Sequence, residues 1–76
     1  MSLAIIWEPA AETVLLRHWH TAEKIDAAVI RFAQTGEGHV ERIGPRYRLR
    51  IAGHDVIFRV DEAARTMRIF GVYRLQ

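Results

Sequence analysis

Arginine is the side chain most able to do chemistry in this sequence, and in one segment it recurs at every second position. The segment Arg46–Ile51 reads Arg-Tyr-Arg-Leu-Arg-Ile. This alternation puts the three guanidinium groups on one face of a β-strand. A guanidinium group binds phosphate through paired hydrogen bonds and stacks on nucleobases. The segment therefore predicts a strand whose polar face binds nucleic acid.

The charge of the chain is divided unevenly between its two halves. Residues 1–41 carry three basic and six acidic groups, whereas residues 42–76 carry eight arginines against three acidic groups. The halves therefore differ in net charge, −3 against +5, although the whole chain carries only +2. Such asymmetry favours a polyanion or an acidic protein as the partner of the C-terminal half.

Two further strands are predicted beside the arginine strand, over residues 56–60 and 67–72. A two-residue turn at Ala52-Gly53 would set the register between the first two strands. A second turn at residues 62–65 would set the register of the third strand. Three rows of side chains would then cross one face of the sheet. The first row is Arg46, Arg59 and Arg68, the second is Arg48, Ile57 and Phe70, and the third is Arg50, Asp55 and Val72, with Arg74 just beyond it. The predicted nucleic-acid-binding residues are Arg46, Arg48, Arg59, Arg68 and Phe70. The alternative is an ordinary solvated face whose arginine stems cover apolar atoms.

The residues before this meander predict a strand and a helical hairpin. An apolar run at residues 3–7 suits a buried strand, and Pro9 suits the first turn of a helix. A second helix is predicted to begin near Thr21 and to end at Gly36. The expected fold is α+β in the order β-α-α-β-β-β: an antiparallel sheet with the helical hairpin on one face, in a single domain over residues 1–76.

Composition excludes several classes of function. The chain has no cysteine and its only serine is Ser2, which rules out a disulfide framework, a thiolate nucleophile and a Ser-His-Asp hydrolase. His18 and His20 lack the spacing of a helical metal pair, so we expect no metal and no cofactor. No apolar run is long enough to span a membrane and no signal peptide is visible, which favours the cytoplasm.

Cleavage of RNA by its own 2′-hydroxyl needs a base, an acid and stabilisation of charge at phosphorus. Arginine supplies only the last of these, because it stays protonated in proteins. The remaining candidates for proton transfer are His39, His54, Asp55 and Tyr73. His54 lies at the predicted hairpin tip beside the basic face, although the register points its side chain towards the helices. A turn residue without chemistry is therefore the competing interpretation of His54.

The residues from 47 to 60, Tyr-Arg-Leu-Arg-Ile-Ala-Gly-His-Asp-Val-Ile-Phe-Arg-Val, together with Val72-Tyr73-Arg74, resemble the signature of RelE/ParE toxins. Residues 6–12, Ile-Trp-Glu-Pro-Ala-Ala-Glu, are similar to the family's passage from first strand to first helix. The resemblance implies a type II toxin bound by a cognate antitoxin in a hetero-oligomer. RelE-like members cut messenger RNA on the ribosome and so inhibit translation, whereas ParE-like members inhibit DNA gyrase without a known hydrolytic site.

The resemblance also implies roles for single residues. Arg48 and Arg50 match two basic positions of the RelE strand, and Arg74 matches the basic residue after the last strand. In RelE-like enzymes the active-site tyrosine lies in a C-terminal segment, and this sequence has no counterpart of that segment before Gln76. Tyr73 is the candidate to take the place of that tyrosine. Asp55 departs from the pattern, because the family usually has arginine there. The predicted catalytic residues are thus Arg48, Arg50, Arg74, His54 and Tyr73.

The sequence leaves three functions open. A ribosome-dependent messenger RNA endonuclease is favoured by the arginine strand. A ParE-like gyrase inhibitor without catalysis, or a degenerate relative that only binds antitoxin, is favoured by Asp55.

Overall fold

The structure is a computed structural model that describes residues 2–75. In this part of the chain, five strands form one sheet in the order β1-β5-β4-β3-β2. The elements in chain order are β1 (Ala4–Trp7), α1 (Pro9–Arg17), α2 (Trp19–Thr35), β2 (Val40–Ile43), β3 (Arg46–Ile51), β4 (His54–Asp61) and β5 (Thr66–Arg74). The predicted α+β class, the helical hairpin and the three-stranded meander are confirmed.

The sheet differs from the prediction in two respects. First, it is mixed rather than antiparallel, because β1 runs parallel to β5, with Ala4 opposite Thr66 and Trp7 opposite Ile69. Parallel neighbours need a long crossover, which the helices and the meander supply. Second, β2 was not predicted. It pairs antiparallel with β3 at the edge of the sheet and places Glu41 opposite Arg48.

The helices begin and end through local backbone chemistry. Pro9 occupies the first turn of α1, where its missing N–H removes no intrahelical hydrogen bond. His18 interrupts the helical backbone between α1 and α2, so α2 begins at Trp19, two residues earlier than predicted. Gly36 adopts a left-handed φ of 76°, and its N–H donates to the carbonyl of Phe32. None of the helices in residues 2–75 is long and apolar enough to cross a membrane.

The turn between β3 and β4 sets the register of the arginine strand. Ala52 and Gly53 have φ angles of 51° and 74°. Two central residues with positive φ are typical of the type I′ turn, whose twist matches that of the flanking strands. The turn places Ile51 opposite His54, Arg50 opposite Asp55 and Arg48 opposite Ile57, as predicted.

The core lies between the sheet and the helices. The five strand residues predicted to face the helices are all buried: Leu49, Val56, Phe58, Met67 and Ile69. The Phe58 ring lies 5.0 Å from that of Phe32 on α2. Burying one such side chain stabilises a protein by about 1.5–3 kcal/mol. The core therefore fixes which face of the sheet turns away from the helices.

Candidate nucleic-acid interface on the open face

The surface of the sheet turned away from the helices is here called the open face. Its side chains alternate along each strand with the buried residues of the core. It carries Glu41, Arg46, Arg48, Arg50, Asp55, Ile57, Arg59, Arg68, Phe70, Gly71 and Tyr73.

Arg50 and Asp55 form a charge-assisted pair across β3 and β4. The Arg50 Nε donates to Asp55 Oδ1 at 3.0 Å, and the terminal nitrogen lies 3.4 Å from Oδ2. Asp55 is buried although it belongs to the open face. The hydrogen bond that Arg50 donates to Asp55, and then the negative charge of Asp55, raise the pKa of Arg50 above its ordinary value. Arg50 is therefore held in place and remains cationic.

Arg48 lies between two carboxylates. It donates a hydrogen bond to Glu41 on β2, and its Nε lies 4.0 Å from Asp55 Oδ2. The strand that was not predicted thus brings a second acidic residue to the two arginines. Glu41 is well exposed, and exposed ion pairs contribute only about 0–1 kcal/mol. A phosphate can therefore replace Glu41, whereas Asp55 is fixed by burial.

Tyr73 reaches the same region from β5. Its backbone lies opposite Asp55, and its ring folds back over Gly71. Gly71 in turn lies opposite Ile57, which lies opposite Arg48. The Tyr73 hydroxyl lies over Gly71, which is two strands away from Arg48. Because neighbouring strands are about 4.8 Å apart, the hydroxyl lies roughly 10 Å from the Arg48 backbone. That span suits one phosphate held between the two side chains.

His39 is a candidate that the predicted site did not include. The backbone N–H of Arg50 donates to the His39 carbonyl at 2.9 Å. Together with Glu41, Arg48 and Arg50, His39 lines a small cavity of about 30 Å³. The sequence makes its imidazole a candidate for proton transfer, but only the pairing of residue 39 with β3 places it next to both arginines.

His54 and Arg74 lie elsewhere. They are paired opposite each other at the helix side of the sheet, so the structure does not bring them to Arg48 and Arg50. His54 is buried, and its Nδ1 lies 2.8 Å from the Ala52 carbonyl. Of the five predicted catalytic residues, Arg48, Arg50 and Tyr73 therefore share the open face.

The far end of the open face carries the remaining predicted nucleic-acid-binding residues. Arg59 lies directly opposite Arg68, as predicted, and Arg68 donates to Glu8 at 3.0 Å. The Arg46 guanidinium lies 5.2 Å from the centre of the Phe70 ring. Arg59, Arg68 and Phe70 also line a groove of about 710 Å³.

Three predicted pairings on the open face are corrected. The β3–β4 pairing extends only to Tyr47 opposite Phe58, one residue short of the predicted Arg46–Arg59 pair. A β-bulge in β5 places Gly71 rather than Phe70 opposite Ile57, and Tyr73 rather than Val72 opposite Asp55. A bulge inserts one extra residue into a strand and so changes which side chains share a row. This shift is what brings Tyr73 to the open face.

Within residues 2–75, no group of three or more histidine, cysteine or acidic side chains could hold a metal ion. The side chains of the open face offer cationic stabilisation by arginine, proton transfer by imidazole, phenol or carboxylate, and stacking by Phe70.

Comparison with known proteins finds a structural likeness but no match in sequence. No family model matches the sequence, and no curated protein matches it. A chain of the toxin-antitoxin complex RelBE2 from Mycobacterium tuberculosis has a similar structure, with a TM-score of 0.66 and 19% sequence identity. The match covers 97% of this chain and 99% of that chain. The chain therefore has the α+β fold that its resemblance to the RelE/ParE toxins predicted.

Proposed function

We propose that the chain is the toxin of a toxin–antitoxin pair and that its open face cuts messenger RNA held on the ribosome. The observation that carries this proposal is the position of Tyr73, folded over Gly71 on the same face as Arg48 and Arg50. The groove around Arg59, Arg68 and Phe70 continues this face and offers further contacts for an RNA strand.

The proposed reaction is an attack of the RNA 2′-hydroxyl on the neighbouring phosphorus. The 2′-oxygen loses its proton to a base, and the 5′-oxygen leaves with a proton from an acid. The products are a 2′,3′-cyclic phosphate and a 5′-hydroxyl end. Arg48 and Arg50 would stabilise the negative charge that builds up on the phosphate oxygens. Tyr73 and His39 are the side chains near both arginines that can transfer the two protons.

The carboxylates beside the arginines are compatible with this role. A guanidinium has five N–H donors, and Asp55 engages only the Nε and one terminal nitrogen of Arg50. The rest of that guanidinium remains available to a phosphate. Glu41 would leave Arg48 when RNA binds, because its exposed ion pair is weak. Asp55 would then act as the anchor that orients Arg50.

Inhibition of DNA gyrase without cleavage is the second candidate. The observation that favours it is the burial of Asp55 between the two arginines, since a fixed negative charge there repels an incoming phosphate. In that case the arginines would hold the sheet together or contact a protein surface rather than a scissile phosphate.

An antitoxin partner is part of the proposal, because the similar fold comes from a toxin-antitoxin complex. Two large apolar side chains at the α1–α2 joint support a protein contact: Leu16 is 66% exposed and Trp19 is 70% exposed. Tryptophan is a frequent anchor of protein interfaces. Ribosomes, messenger RNA and antitoxin meet in the cytoplasm, where we place the hetero-oligomer.

The test is cleavage of a defined messenger RNA on purified ribosomes, with the ends mapped by primer extension. The wild-type chain should cut, and Arg48→Ala or Arg50→Ala should reduce the rate by about 10²–10³-fold. Tyr73→Phe should reduce it by about 10²-fold or more. Arg31→Ala is the matched control, because Arg31 is exposed on α2 and pairs with Glu37.

A supercoiling assay with purified gyrase separates the second candidate. Inhibition of gyrase without cleavage of ribosome-bound RNA would replace the nuclease proposal with the gyrase proposal. If the chain neither cuts RNA nor inhibits gyrase, both are wrong and antitoxin binding alone would remain.

A further inference from the structure

A second cavity lies on the helix side of the sheet, where the α1–α2 joint meets the β3–β4 turn. Its volume is about 520 Å³. The ionisable residues that line it are Arg17, His18, His20, His54 and Arg74. No acidic residue of the described chain lines it. The cavity is thus surrounded by groups that carry positive charge or can acquire it, and an anion would be attracted to it.

His54 contributes a buried nitrogen that lacks a partner. The residue is only 5% exposed, and its Nδ1 is bonded to the Ala52 carbonyl. Because a carbonyl can only accept, Nδ1 carries the hydrogen, which makes Nε2 of the neutral ring an acceptor. Nε2 has no hydrogen-bond partner among residues 2–75. A buried polar atom without a partner is costly and is a reason to look for a missing ligand.

The cationic groups at the cavity are also available to a ligand. Neither Arg17 nor Arg74 forms a salt bridge with another residue of the 2–75 segment. Helix α2 begins at Trp19, beside the cavity, and its N-cap residue His18 makes no side-chain capping bond. The N-terminus of a helix carries a partial positive charge that favours anions.

We infer that this cavity binds a phosphate monoester, with Arg17 and Arg74 as its cationic contacts and His54 Nε2 as its buried partner. A protonated phosphate offers a P–OH to an acceptor nitrogen as well as anionic oxygens to arginine. Sulfate offers acceptors only, so the site should prefer phosphate. The His18 ring packs edge-on against His54, with ring centres 4.8 Å apart. It would turn aside to admit a phosphate oxygen.

The site is separate from the open face and from the proposed RNA cleavage. His54 and Arg74 lie on the helix side, and none of the cavity's lining residues belongs to the Arg48–Arg50 region. The inference can therefore succeed or fail independently of the nuclease activity.

The first test is a titration of the intact, isotope-labelled chain with inorganic phosphate, followed by amide NMR signals. Saturable shifts should concentrate at Thr21, Gly53 and His54, and sulfate at the same ionic strength should bind at least several-fold more weakly. Equal binding of sulfate, or shifts spread evenly over both faces of the sheet, would show non-specific attraction and overturn the inference. So would the lack of any saturable shift.

Variants then assign the contacts. The double variant Arg17→Gln/Arg74→Gln should weaken phosphate binding by at least tenfold, and His54→Gln should weaken it as well. If His54→Gln fails to fold, the surface double variant still decides the question. The double variant Lys24→Gln/Arg31→Gln is the control, because it removes two positive charges from α2 at positions that line neither this cavity nor the open face. An equal loss in that control would mean that net charge alone attracts the ion.

The source of the phosphate is distinguished by three ligands: a nucleoside 5′-monophosphate, a short oligonucleotide with a 5′-phosphate, and the same oligonucleotide without it. Binding of the first two alone supports a monoester site. Tighter binding of the nucleoside monophosphate would indicate that the natural ligand is a free nucleotide. Tighter binding of the 5′-phosphorylated oligonucleotide would indicate that it is an RNA end. Equal binding of all three would indicate backbone diesters and contradict the monoester assignment.

Discussion

The ring of Tyr73 lies directly over Gly71. A β-carbon placed on Gly71 would lie 2.6 Å from Cε2 of Tyr73 and 2.7 Å from its hydroxyl oxygen. Tyr73 is 61% exposed, so few other contacts hold the ring in this position. The absence of a side chain at Gly71 is therefore what lets the phenol lie flat on the open face, towards the row that contains Arg48.

Gly71→Ala should displace Tyr73 without unfolding the chain, because an exposed ring can swing towards solvent. We expect ribosome-dependent RNA cleavage to fall by about tenfold or more, within the usual range for a misplaced acid or base. The measurement is a double-mutant cycle with Tyr73→Ala. If Gly71→Ala costs as much activity in the Tyr73→Ala background as in the wild type, the position of the ring is not the cause.

Asp55→Asn should have opposite effects on stability and on RNA binding. The carboxylate is buried and accepts two hydrogen bonds from Arg50. Its neutralisation should lower the free energy of unfolding by about 1–3 kcal/mol. RNA affinity should rise. The slope of log affinity against log salt concentration should steepen by the amount expected for about one additional phosphate contact.

The checks on Asp55→Asn are urea denaturation and fluorescence anisotropy with a short RNA over a range of salt concentrations. Glu37→Gln removes one negative charge from an exposed site near α2 and serves as control. An equal rise in RNA affinity for both variants would show that only net charge matters.

Arg59→Gln should stabilise the free protein and weaken its binding to RNA. Arg59 lies directly opposite Arg68, and like charges across a sheet are destabilising by up to about 1 kcal/mol. The gain in the free energy of unfolding should be largest at low salt and shrink at high salt, because exposed charges are screened. Thermal unfolding at two salt concentrations measures it. Arg31→Gln, which breaks the Arg31–Glu37 pair, should give no such gain.

Phe58→Ala should unfold most of the chain. Phe58 is fully buried and its ring contacts those of Phe32 and Tyr47. Such a substitution costs about 3–5 kcal/mol, close to the whole stability of a small domain. Urea denaturation followed by circular dichroism should show a broad or absent transition. Tyr73→Ala, an exposed aromatic on the other face, should change stability by only about 0.5 kcal/mol.

The sequence predicted those parts of the fold that local chemistry decides. The Ala52-Gly53 turn and the alternation after Arg46 were enough to obtain the register of β3 against β4. The parallel pairing of β1 with β5 was not accessible in this way, because it joins segments far apart in the chain. Strand β2 was missed because Val40–Ile43 is short, carries two charges and lies at an edge.

The candidate site was predicted in part for the same reasons. Arg48 and Arg50 follow from alternation within one strand. Tyr73 lies on the open face only because of the bulge in β5. Neither a turn residue nor the periodicity of the sequence predicts that bulge. Glu41 and His39 come close to Arg48 and Arg50 only because the segment before β3 pairs with β3. Arg74 was assigned to catalysis from a linear resemblance and His54 from its place at the hairpin tip, and the structure places both on the other side of the sheet.

The parallel pairing of β1 with β5 has a consequence for the timing of assembly. Of the described strands, β1 is synthesised first, and it finds its neighbour only when Thr66–Arg74, near the other end of the described chain, has been synthesised. Contacts between such distant segments form slowly and only after the intervening chain is available. Tyr73 and Gly71 belong to that same late strand. A nascent chain would thus carry an incomplete open face until β5 has been synthesised, and any activity of that face would have to wait for the same strand that closes the sheet over β1.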